Sequence, residues 1–169
     1  MSNSNNASID NTIIVIKYTY LKDLLGIYWQ YITKIKEKYM ELLSILSIIS
    51  EISETMFIQN ILEISERGCI FIGYIGEPGN SDFEIISTGT LFLEVKLSHG
   101  GKSVGHIEDI IVHSDFRGKG ISSIIINNLI KESIDKNCYK IILQCKTEIC
   151  PVYERNGFIK NGIEMVYRI

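Results

Sequence analysis

Residues 105–135 constrain the fold of this 169-residue chain more than any other stretch. GHIEDIIV (105–112) is rich in β-branched residues and reads as a strand. HSDFRGKG interrupts it, and an apolar stripe at helical spacing follows through about Asp135: Ile121, Ile124, Ile125, Leu129, Ile130 and Ile134. Strand, glycine loop and amphipathic helix therefore come in immediate succession. The helix is expected to start near Gly118 or Lys119. Its first N–H groups then lack intrahelical acceptors, and its dipole favours negative charge there. Glycines let the backbone pass close to a ligand, and Arg117 and Lys119 add charge. Such a segment can hold an anion such as a pyrophosphate; taken alone, it also fits an ordinary polar turn.

The rest of the chain limits what that anion can be. The formal net charge is −3, which lacks the basic field of a nucleic-acid footprint. The most apolar run, LLSILSIIS (42–50), is far too short to span a bilayer. MSNSNNASIDN (1–11) lacks the regions of a signal peptide and is expected to be a loose tail. Cys69, Cys138, Cys145 and Cys150 form no CxxC pair, which argues against a disulfide framework or a zinc site and for a reducing, cytoplasmic setting.

An apolar content of 46% supports one core, and no linker or internal repeat divides residues 1–169. TIIVIKYTY (12–20) reads as a first strand, and Leu21 to about Ile49 as one long helix or two. Ser53 is placed to cap a helix over 53–65, with Met56, Ile58, Ile61 and Leu62 as its apolar contacts. CIFIGYIG (69–76) and FEIISTGTLFLEVKL (83–97) read as strands, the second bent near Gly89. CYKIILQC (138–145) reads as a buried strand, Val152–Arg155 as a short helix, and FIKNGIEMVYRI as a closing strand or bent hairpin. The expected class is α+β, a mixed central sheet with helices on both faces.

Familiar phosphate and metal motifs do not fit. GGKS (100–103) has Lys96 where a P-loop needs its first glycine, and it leads into a strand. GKGISS (118–123) ends in Ser123 where a dinucleotide fingerprint needs glycine. His99, His106 and His113 lie seven apart, a spacing that alternates faces on a strand and makes no zinc site.

Arg117-x-x-Gly120-x-Ser122, after a strand and opening a helix, is similar to the Arg/Gln-x-x-Gly-x-Gly/Ala signature of the GNAT superfamily of acetyl-CoA-dependent N-acetyltransferases. With GHIEDIIV, CYKIILQC, VYERNGF and GIEMVYRI, the chain resembles the branch that acetylates glucosamine 6-phosphate. The resemblance is close over residues 96–168 and faint before them. It implies a fourth and fifth strand that run parallel and splay apart, with the pantetheine arm of acetyl-CoA paired to Ile110, Ile111 and Val112. It places the pyrophosphate on the backbone of Gly118, Lys119, Gly120, Ile121, Ser122 and Ser123, with Arg117 and Arg155 nearby. Tyr153 matches the tyrosine that protonates the leaving sulfur, and the N–H of Ile111 or Val112 the oxyanion donor.

Glu108 is expected to take the amine proton, directly or through a water, and Asp109 to bond the sugar or an adjacent backbone. Strand alternation points these two carboxylates to opposite faces. Lys96, His99, Tyr139, Lys140 and Arg168 match acceptor-binding positions, and Ser47 matches a threonine on the first helix. In such enzymes two subunits share the acceptor site, which implies a homodimer; no metal is implied. Three positions depart from the pattern. Gln144 stands where an acidic residue is usual and cannot accept a proton. Ile149 replaces an asparagine that contacts pantetheine. Ser122 replaces glycine or alanine, where its hydroxyl could bond phosphate or its Cβ crowd it. Acetylation of another amine or a peptide, or silent binding of an acyl-CoA, stay open as alternatives.

Overall fold

A computed structural model describes residues 14–167. Its strands are β1 (Lys17–Tyr20), β2 (Gly68–Ile75), β3 (Glu84–Val95), β4 (Ser103–Val112) and β5 (Cys138–Leu143). They form one mixed sheet in sequence order, antiparallel except for the parallel β4–β5 pair. The helices are α1 (Leu21–Ile27), α2 (Ile32–Leu43), α3 (Glu54–Glu66), α4 (Ile121–Asp135) and α5 (Cys150–Glu154). None is long and apolar enough to cross a membrane.

Two apolar clusters sandwich the sheet. On one face Leu21, Leu24, Ile35, Tyr39 and Phe57 from α1–α3 pack against Ile70, Ile72, Ile85 and Ile111. On the other, Ile121, Ile125 and Leu129 of α4 pack against Phe71, Ile86, Leu91 and Ile107. The period of two places 70 and 72 on one face of β2 and 71 on the other. The expected class, with helices on both faces, is the one observed.

The span 21–49 resolves into α1, a 3-10 turn at Trp29–Tyr31, and α2 ending at Leu43. Ser53 caps α3 as expected, its Oγ accepting from the Met56 N–H at 3.1 Å. Phe57 and Ile61 form the buried stripe of α3, whereas Met56 and Leu62 are exposed. In α4 the buried set is Ile121, Ile125, Ile126, Leu129 and Ser133; Ile124 and Ile134 point outward.

Two larger corrections concern the C-terminal third. β5 is an edge strand of half-buried and exposed residues, not a buried one, because β4 covers one side of it alone. After α5 the chain turns at Gly157 (φ 88°), and residues 158–167 carry neither strand nor helix. Ile159, Ile163, Met165 and Tyr167 are each at least 85% exposed. Their apolar character suits a strand, but β5 makes no ladder with them. The expected tail and the first residues of the expected opening strand, with Arg168, fall outside the described residues.

Candidate active site

The site is organised by the way β4 loses one of its two neighbours. Its parallel ladder with β5 runs from Ser103↔Cys138 to Ile107↔Leu143 and stops there. On its other side β4 stays paired with β3 through Val112. Residues 108–112 thus border a gap that opens between β4 and β5. The His113 N–H donates to the Ile86 carbonyl at 2.8 Å. Bonded pairs alternate in an antiparallel ladder, so Ile111, opposite Thr88, directs its N–H into β3. Ile110 and Val112 direct theirs into the gap. This removes Ile111 as a backbone donor there and leaves its two neighbours.

A bulge sits at the head of the gap. Thr88 pairs with Ile111 and Thr90 with Glu108, so two residues of β4 oppose Gly89 alone. Asp109 takes up the excess at φ 53°, a left-handed backbone that L-residues rarely adopt. The alternation argument for Glu108 and Asp109 therefore fails. Ile107 and Ile110 both join the α4-side cluster, although three apart, and Ile111 joins the other. A methyl group at position 89 would lie 2.5 Å from Ile110 Cδ1 and 2.6 Å from Ile125 Cγ2, so glycine there lets α4 seat against the bulge.

Electrostatics single out the same place. Glu108 and Asp109 are exposed residues, yet partial desolvation, then the Asp109 carboxylate, raises the Glu108 carboxyl above its ordinary value. Partial desolvation likewise raises Asp109. Burial, then Cys145 and Glu108, raises the Tyr153 phenol and keeps it protonated at neutral pH. Tyr153, on α5, packs edge-on to Phe158 at 6.1 Å. Glu108, Asp109 and Tyr153 are thus brought together from β4 and α5, across the gap.

The glycine loop lies at the other end of that gap. Gly118 (φ 74°) and Gly120 (φ 76°) are left-handed, with open space where a Cβ would stand. Gly120 caps α4, which starts at Ile121, two to three residues later than the sequence suggests. Ser123 and Ile124 donate to the Gly120 carbonyl, which leaves the preceding amides of the first turn without intrahelical acceptors. Arg117 Nε donates to the Val112 carbonyl at 3.0 Å, using one of its five N–H donors and tying the loop to the end of β4. Lys119 folds back over the Phe116 ring at 4.9 Å. Ile121 buries its side chain and has only its N–H to offer. Ser122 is half-buried in ordinary helical backbone, so its Cβ strains nothing. Arg155 is exposed beyond α5.

The predicted acceptor residues do not all converge on Glu108. Tyr139 stacks on His99 at 4.0 Å, and Lys140 Nζ lies 5.7 Å over the Tyr139 ring. Lys96 bonds to Glu94, which also meets His106 Nε2 at 3.0 Å. This group sits where β4 and β5 begin. Lys140 pairs with Val104, four residues before Glu108 and about 13 Å along the strand. Gln144 is exposed just past the end of β5, and Ile149 half-exposed just before α5. Ser47 lies beyond the end of α2, exposed in a loop rather than on a helix. A groove of about 950 Å³ runs along β5 beneath residues 158–164, lined by Tyr139, Lys140, Gln144, Cys145 and Tyr153 among others. Sequence reasoning missed Glu94, whose partnership with His106 depends on cross-strand register.

The sequence profile described as the Acetyltransferase (GNAT) family matches residues 25–158. The Candida albicans glucosamine 6-phosphate N-acetyltransferase is 35% identical over 137 residues, 81% of this chain and 91% of that one. A probable glucosamine 6-phosphate N-acetyltransferase 2 of rice is 36% identical over 89 residues, 53% of this chain; the chain spans about half, 54%, of that relative's length. The crystal structure of glucosamine-6-phosphate N-acetyltransferase from Arabidopsis thaliana superposes with a TM-score of 0.77 at 26% identity, covering 91% of this chain and 98% of that one. With a half-freed β4, a left-handed glycine cap on α4 and a match across most of its length, the chain belongs to the GNAT acetyltransferase family.

Proposed function

We propose that the protein transfers the acetyl group of acetyl-CoA to the amine of glucosamine 6-phosphate. The observation that carries this reading is the half-paired β4, with a phosphate-ready helix start at one end of the gap and Glu108 with Tyr153 at the other. The pantetheine arm is an extended amide chain, and the N–H groups of Ile110 and Val112 can pair with it as a strand would. The open first turn of α4 and the Gly118–Gly120 backbone suit its pyrophosphate. The relatives named for this reaction support the acceptor.

In the reaction the free amine attacks the thioester carbonyl carbon. The oxyanion accepts a hydrogen bond from a gap-facing β4 N–H, Ile110 or Val112. Glu108, made more basic than a free carboxylate, takes up the amine proton directly or through a water. As the C–S bond breaks, Tyr153 gives its proton to the departing thiolate. Holding both reactants in line in the gap contributes much of the rate. Gln144 can bond the sugar but takes no proton.

The acceptor phosphate requires cations, and the strand length between Lys140 and Glu108 exceeds the amine-to-phosphate reach of one hexose unless both side chains turn along the strand. This supports a homodimer in which Lys140, His99 and Lys96 serve the partner's Glu108. The open edge of β5 and the exposed apolar residues after Gly157 support it too. The test is thiol release from acetyl-CoA with a panel of amines. Release with glucosamine 6-phosphate and not with glucosamine fits the proposal; coenzyme A binding without turnover on any amine sinks it. Co-expressed Glu108→Gln and Lys140→Ala copies should regain activity, because a mixed dimer keeps one intact shared site. Without that recovery, the site lies within one chain.

A further inference from the structure

Cys145 and Cys150 carry a feature that acetyl transfer does not use. Their sulfurs lie 3.7 Å apart. Cys145 is exposed just beyond β5, and Cys150 is the first residue of α5, where its thiol meets the Lys146 carbonyl at 3.8 Å. The other cysteines, Cys69 and Cys138, lie on β2 and at the start of β5. The segment between the pair holds only a 3-10 turn at Thr147–Ile149, and Cys150 is three residues ahead of Tyr153 on the same short helix. Both cysteines line the groove that also reaches Tyr153, so a small solute has access to them.

We infer that Cys145 and Cys150 form a modification site, an oxidisable dithiol that hydroperoxides convert to a disulfide at the sulfur end of the acetyl-transfer gap. One thiolate attacks a peroxide oxygen; the O–O bond breaks, leaving a sulfenic acid and releasing water or an alcohol. The second thiol's sulfur attacks the first; the S–O bond breaks and water leaves. Two thiols lose two electrons, one hydroperoxide gains them, and both thiol protons end on oxygen. Closing the pair to the S–S length of about 2.05 Å moves the sulfurs together by more than an ångström. Cys150 starts α5, so the movement falls on the helix that carries Tyr153, and a misplacement of that size is enough to slow transfer. Burial, then the hydrogen bond with Cys150, raises the Cys145 thiol above its ordinary value, so oxidation quickens as pH rises. A reversible pair of this kind suits a reducing compartment, where a structural bridge would not persist.

The effect on transfer rests on the proposed role of Tyr153; the disulfide itself does not. The full chain, reduced and freed of metal, is treated with one equivalent of hydrogen peroxide and digested with trypsin, which cuts after Lys140, Lys146 and Arg155. A disulfide then links peptide 141–146 to peptide 147–155. That link is the expected result, with a fall in kcat of about tenfold, little change in the KM for acetyl-CoA, and recovery with dithiothreitol. Cys145→Ser and Cys150→Ser should each abolish both the link and the loss, and having both guards against one failing to fold. A linked peptide with an unchanged rate overturns the functional half. Sulfinic acid without linkage, or bridging to Cys69 or Cys138, overturns the site. A reduced chain that acetylates nothing removes the proposed function and leaves the disulfide to be judged by the peptide link alone.

Discussion

The two halves of β4 are contiguous in sequence but differently surrounded. From Ser103 to Ile107 the strand is bonded on both sides, to β3 and to β5. From Glu108 to Val112 it is bonded to β3 alone, and a bulge with left-handed Asp109 marks the change. In the first half the backbone groups hold the sheet together. In the second, half of them are left for a ligand, and the carboxylates cluster there. A strand can therefore be structural over one stretch and a binding edge over the next, with a single extra residue dividing the two.

That contrast can be broken by experiment. The largest effect is expected at Tyr153, across the gap: Tyr153→Phe should lower kcat by about a thousandfold with little change in the acetyl-CoA KM. Steady-state rates at saturating acceptor decide it, and an unchanged kcat removes Tyr153 as the acid. Glu108→Gln should lower kcat/KM by about a hundredfold. The base must be deprotonated, and its pKa is raised, so wild-type activity should fall away at a higher pH than an ordinary carboxylate allows. That acid limb should vanish in Glu108→Gln; its survival assigns the proton to another group.

Gly120→Ala places a Cβ on a left-handed backbone and should raise the acetyl-CoA KM about tenfold, with kcat near wild type. A fall in kcat instead would mean that the loop does more than hold the donor. In the doubly bonded half, Val104→Ala should destabilise the fold by about 2 kcal/mol, read in urea, and leave the rate per folded molecule unchanged. If it alters the rate, the division of β4 into two roles is wrong.

The sequence made the local devices legible. The strand before the loop and the Ser53 cap rest on short-range rules of spacing and hydrogen bonding, and both appear in the fold; the α4 stripe appears at Ile121, Ile125 and Leu129 but not at Ile124 or Ile134. The bulge did not announce itself, because an extra residue in one strand is defined only against its partner. Hence simple alternation misplaces Asp109, even though the bend expected at Gly89 lies opposite it. Cys145 and Cys150 are five apart, a spacing no motif flags, and only the turn before α5 brings their sulfurs together. The closing strand or hairpin expected at residues 158–167 does not form, since a strand needs an edge to bond to and an apolar pattern alone does not supply one. Ser47 lies off the expected helix for a similar reason: α2 ends at Leu43, a boundary the apolar run continues past.

The missing side chain at Gly89 has a mechanical consequence. Coenzyme A, in the proposed reaction, would be held at its diphosphate and used at its thioester, a fixed distance away. The helix proposed to hold the diphosphate touches, through Ile125, the same few ångströms of backbone that Ile110 and the bulge occupy. A densely packed contact of this kind transmits displacement rather than absorbing it. Under the proposed function, the start of α4 that would hold the diphosphate and the bulge beside Glu108 are thus braced against each other, so a shift of one would carry the other with it.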